Sequence, residues 1–97
     1  MKYIKLFENY NKNIFYYKSL DDLKIKLENY KGNNPHKDIW GDNIKIGNII
    51  YNYFGLSGGD ENIEEITFVN KNDEDDYFVI VYKITNDIFK FLNIGKY

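Results

Sequence analysis

The chain has 97 residues, no cysteine and a formal charge of −2. These values predict a single domain spanning 1–97, with a small packed core and little room for an enclosed active site, and they exclude disulfides and thiolate metal sites. They also argue against a strongly basic nucleic-acid binder, and equally against a highly acidic DNA mimic.

Aromatic residues make up 19% of the chain, ten of them Tyr, which is enough to pack a core from rings whose hydroxyls still seek partners. Ala, Arg, Gln and Cys are absent while Asn, Ile, Lys, Tyr and Phe abound, a bias towards residues with A- and T-rich codons. Charge is uneven along the chain. Residues 1–45 hold nine Lys against six acids (+3), and residues 46–97 hold four Lys against nine acids (−5). No run approaches the roughly 18 apolar residues of a membrane span, and the first ten residues lack the features of a secretory signal, so the expected location is the cytosol.

In chain order, Met1 to Tyr10 fits a short strand slightly better than a helix. Asn9, Asn11 and Asn13 read as turn residues, and Ile14 to Lys18 as a second strand completing an N-terminal hairpin. Ser19 opens the clearest helix, with Asp22 reaching back in an abbreviated capping box and Leu20, Leu23, Leu27 and Tyr30 on one stripe. Gly32 ends it. Lys31 to Asn43 is a loop holding the only Pro, His and Trp: Pro35, His36 and Trp40. A second helix is expected from about Asn43 to Phe54, capped by Asp42, with Ile46, Ile49, Ile50, Tyr53 and Phe54 at helical spacing.

The stretch from Ile63 to Ile94 reads as strand, acidic turn, strand and short helix. Ile66 and Phe68 alternate with Thr67 and Val69, Asn70 to Asp76 is a polar break, and Tyr77 to Thr85 is rich in β-branched and aromatic residues. Thr85 or Asn86 would cap the final helix and Gly95 would close it. The predicted fold is α+β, a small antiparallel sheet of an N-terminal and a C-terminal hairpin packed against two to three helices.

Candidate chemistry is sparse. Leu56-Ser57-Gly58-Gly59-Asp60 is similar to the LSGGQ signature of ABC-type ATPases, and Gly58-Gly59-Asp60-Glu61 to the start of the GGDEF motif of diguanylate cyclases. The first family also needs a phosphate loop, which is missing, and the second string continues with Asn62 in place of an aromatic. His36 and Asp38 have no second His or Cys to complete a catalytic set. No cofactor or metal is expected, and the chain reads as a non-enzyme.

From Asp60 to Asp76 there are eight acids and one Lys. This stretch supplies the predicted partner-binding residues, Asp60, Glu61, Glu64, Glu65, Asp73, Glu74, Asp75 and Asp76, suited to steering a basic protein partner. Trp40 joins them as an interface anchor, the alternative being that it folds onto the core. The opening MKYIKLFENY, Met1 to Tyr10, resembles the leaders of small proteins from AT-rich tailed bacteriophages, and the whole chain is similar in style to phage anti-defence proteins, including anti-CRISPR inhibitors. That resemblance implies a stoichiometric inhibitor of a bacterial defence effector, occluding its basic nucleic-acid-binding groove. An immunity protein or antitoxin would use the same acidic surface. An RNA or single-stranded DNA binder would instead use Lys2, Lys5, Lys12 and Lys18 interleaved with Tyr3, Tyr10, Phe15, Tyr16 and Tyr17.

Overall fold

A computed structural model of the chain describes residues 14–58 and 62–96. They form a curled sheet of six strands in chain order: β1 (Ile14–Tyr17), β2 (Asn43–Ile46), β3 (Ile49–Gly58), β4 (Ile63–Asn70), β5 (Asp73–Thr85) and β6 (Ile88–Lys96). One helix, α1 (Leu20–Glu28), and a single π-helical turn, His36–Trp40, lie between β1 and β2. Strand β1 pairs with β2 in parallel, and every later pairing is an antiparallel neighbour contact. The fold is therefore a mostly-β half-barrel and not the α+β arrangement of a small sheet with two to three helices.

Two expected helices are strands, for identifiable reasons. From Asn43 to Gly58 the chain is the β2–β3 hairpin, with Ile46 paired to Ile49 across Gly47 and Asn48. Gly47 has φ +63°, the conformation that the first central residue of a type II′ hairpin turn requires. The residue that would have weakened a helix is the one that makes the turn. From Thr85 to Lys96 the pattern is again a hairpin, because Asn86 and Asp87 both have positive φ (54° and 64°) as a type I′ turn demands. The Asn86 side chain had suggested a helix cap, and Asn serves either purpose.

Helix α1 starts where the sequence predicts but ends at Glu28, with Asn29 and not Gly32 closing it. The Ser19 side chain accepts the Asp22 amide at 3.3 Å, and Leu23 and Leu27 are buried. The predicted β4–β5 hairpin is also present, with strands that run further into the acidic stretch than expected, leaving only Lys71 and Asn72 as the turn. The predicted partner of Ile14–Tyr17, Met1 to Tyr10, lies outside the described residues, and within them β1 pairs with β2.

Alternation decides which side chains face inward. Ile66 and Phe68 on β4, and Phe78, Ile80 and Tyr82 on β5, point to the concave face together with Ile44, Tyr51 and Phe89. Leu23 and Leu27 from α1, and Ile39 and Trp40 from the π turn, fill the hollow. Helix α1 touches both β1 and β6, so it lies across the opening between the two outer strands. Trp40 stands 5.4 Å from the Tyr82 ring, 6.3 Å from Phe68 and 6.4 Å from Phe89, which ties β4, β5 and β6 to one side chain.

Removing so large a buried ring leaves a cavity that a domain of this size cannot collapse around. Trp40→Ala should cost about 3–5 kcal/mol in urea unfolding, with Trp40→Phe costing clearly less. Equal, small losses for the two variants would contradict the packing role.

Candidate functional site

The β4–β5 end of the sheet carries the densest polar construction. Asn70 pairs with Asp73 and Val69 with Tyr77, so Glu74, Asp75 and Asp76 are inserted between two register positions as a three-residue bulge. Side-chain oxygens shape it: Asn70 accepts the Asn72 amide at 2.8 Å, and Asp73 accepts the Asp75 amide at 3.0 Å. The bulge divides the acids. Asp73, Glu74 and Asp75 are exposed, whereas Asp76 turns back onto the sheet.

Asp76 is the hub of a cluster drawn from four strands. Its carboxylate accepts from the Tyr51 hydroxyl at 3.0 Å and the Asn70 amide at 2.9 Å, and pairs with the Lys96 ammonium at 2.6 Å. Lys96 also donates to the Tyr51 hydroxyl at 3.0 Å and stands 5.5 Å from that ring's centre. Lys96 above all, then Asn70, holds the Asp76 carboxyl below its ordinary range, against a smaller opposing effect of burial. Asp76 in turn raises the Lys96 ammonium, with Tyr51 adding to it.

Beside the exposed acids, Phe54 lies 74% exposed over a hollow of about 260 Å³ shared with Thr67, Val69, Tyr77, Glu74 and Asp75. An irregularity between Tyr53 and Gly55 leaves Phe54 without a register partner on β4. Tyr53, next in the chain, faces the opposite side and reaches Phe68 at 6.2 Å. There it joins Trp40, Leu56, Ile66, Tyr82 and Ile84 around a second, mainly apolar groove of about 380 Å³.

Asn33, Pro35, His36 and Asp42 form the rim of that groove. His36 faces Asp42 at 3.0 Å, not the Asp38 that its sequence position suggested, and both are so exposed that the pair contributes little. Asp38 instead accepts from the Tyr30 hydroxyl at 2.5 Å. Burial, with the Glu64 carboxylate second, pushes the Tyr82 phenol well above its ordinary range. Burial also pushes Tyr17 up to about 12, and its hydroxyl donates to the Ile39 carbonyl at 2.5 Å, tying β1 to the π turn. Among the described residues no group of three His, Asp or Glu side chains is placed to hold a metal ion.

The predicted binding residues therefore do not form one patch. Glu64 and Glu65 stand near the far end of β4, with Glu65 about 17 Å of strand from Asn70 at about 3.4 Å per residue. Asp60 and Glu61 lie outside the described residues. Trp40 is only 2% exposed and belongs to the core. The residues that reasoning from sequence missed are Phe54, Tyr53, Leu56 and Lys96. Asn52 and Phe54 alternating with Tyr51 and Tyr53 was the available strand signal, and it was masked by an equally good helical spacing.

Comparison with known proteins matches no family model, no curated protein and no solved structure. Among the described residues no helix is long and apolar enough to cross a membrane.

The four-strand cluster sets a pH dependence. The depressed Asp76 pKa means its stabilisation is present above the unfolded carboxyl value of about 4 and is lost as pH falls through the folded value. The raised Lys96 pKa means its share is present below about 10 and is lost as pH rises through the folded value. Asp76→Asn should lower stability by about 1–3 kcal/mol at pH 7, and the gap from wild type should close below about pH 4. A gap that persists unchanged into acid would remove the carboxylate from the account.

Proposed function

We propose that the chain is a non-enzymatic, stoichiometric protein binder that inhibits a basic, nucleic-acid-binding partner by occluding its groove. The observation that carries this is the β4–β5 tip, where Asp73, Glu74 and Asp75 are exposed beside a Phe54 that is 74% exposed. Acids steer a basic surface into contact, and a large apolar ring next to them supplies the area that makes the contact hold. The bulge keeps three carboxylates outward while Asp76 is neutralised within the sheet, so the tip presents three acids against the single Lys71 of the turn. The resemblance of Met1 to Tyr10 to phage leaders directs the choice of partner to a bacterial defence effector of the CRISPR-Cas kind.

The test is capture from nuclease-treated bacterial lysate, followed by titration of the purified partner. Wild type should retain a basic effector at 1:1 stoichiometry. The triple variant Asp73→Lys, Glu74→Lys, Asp75→Lys should lose binding by at least about tenfold, and Phe54→Ala should weaken it by about 1–3 kcal/mol, with the fold intact by circular dichroism. Undiminished affinity in both variants would overturn the surface assignment. Retention of nucleic acid alone would overturn the function.

A further inference from the structure

Strand β3 outruns the strand beside it. β2 covers only Ile49 to Asn52, and the last contact on that side is the Tyr53 amide donating to the Asp42 carbonyl at 3.0 Å. From Phe54 to Gly58 the edge of β3 facing away from β4 has no strand partner among the described residues. The outermost strands are placed differently, since β1 and β6 both touch α1.

An open edge is normally blunted by charge, proline or a bulge. Phe54-Gly55-Leu56-Ser57-Gly58 contains no charge and no proline, and the one irregularity lies at its start, between Tyr53 and Gly55. A Cβ built on Gly55 or Gly58 would meet nothing within 4 Å, so no neighbouring side chain crowds either position. Glycine within a strand often marks a place where another backbone comes close. The apolar groove lies along this edge, since Tyr53 and Leu56 of β3 form its wall and Trp40, Ile66 and Tyr82 its floor. At the far end of the edge the nearest carboxylates lie one strand further in, Glu65 and Glu64 of β4 in register with Ser57 and Gly58 and on alternate faces, while at the near end the Asp42 carboxylate is paired with His36.

We propose that Phe54–Gly58 is a strand-addition site that accepts an extended, basic segment of a protein partner. The partner's backbone completes the ladder on β3, one of its apolar side chains enters the groove, and a flanking Lys or Arg side chain reaches across the side-chain-free Gly58 towards the Glu64 and Glu65 carboxylates of β4. Ladder bonds supply affinity and the groove supplies selectivity, as in other cases of peptide addition to a sheet edge. The preference for a basic segment rests on the same charge complementarity as the proposed function; the open edge and the groove do not.

The test titrates the ¹⁵N-labelled full chain with the peptide acetyl-Lys-Val-Phe-Val-Lys-amide, and with the same peptide N-methylated at alternate backbone nitrogens. The expected result is saturable shifts at the amides of Phe54 to Gly58 and at the Trp40 indole, with N-methylation weakening binding by at least about tenfold. Charge and side chains are identical in the two peptides, so a tip that only attracts cations treats them alike. Equal binding of both peptides, shifts confined to Asp73 to Asp75, or no saturable shift at millimolar peptide would each overturn the edge assignment. If lysate capture then still depended on Asp73 to Asp75, the proposed function would stand without this site.

Discussion

The packing of one indole against three strands is what the rest of this structure depends on. A curled sheet has a concave face that must be filled, and a chain of 97 residues with one short described helix has little to fill it with. Trp40 does so from a π turn that Pro35 starts and Gly41 ends, the latter at φ +58° with its amide donating to the His36 carbonyl at 2.7 Å. The indole nitrogen is buried without a hydrogen-bond partner among the described residues. Such a group costs about 1–3 kcal/mol, which the contacts of the ring with Phe68, Tyr82 and Phe89 outweigh.

With the interior accounted for, the outward surfaces sort themselves by chemistry. At one end of the sheet, Asp76 is held by Lys96, Asn70 and Tyr51, which joins β3, β4, β5 and β6 and leaves its three acidic neighbours to solvent. Along β3, Tyr53 and Phe54 look to opposite sides and each borders a hollow. The acids and the aromatics are thus brought together by strand geometry.

How much of this was legible in the sequence depended on whether local signals competed. Ser19 followed by Asp22, with Leu23 and Leu27 at helical spacing, admits one interpretation, and helix α1 is there. Ile66 and Phe68 alternating with polar or β-branched neighbours likewise marked β4. Between Asn43 and Phe54 the isoleucines and aromatics fit both periods, and only the positive φ at Gly47 separates hairpin from helix. Asn86 poses the same ambiguity between cap and turn. The candidate site was partly visible as an excess of acids, but its division could not be read, because a bulge that sends Asp76 inward depends on Lys96 and Tyr51, twenty and twenty-five residues away.

Because Trp40 is the only tryptophan, its fluorescence tests the central claim directly. The account predicts a blue-shifted emission in the native state that resists acrylamide and iodide, then moves to the red and becomes quenchable in one step with unfolding in urea. Red, freely quenched emission from the folded protein would place Trp40 at the surface, and would contradict both the packing of the concave face and the division between interior and binding surfaces built on it.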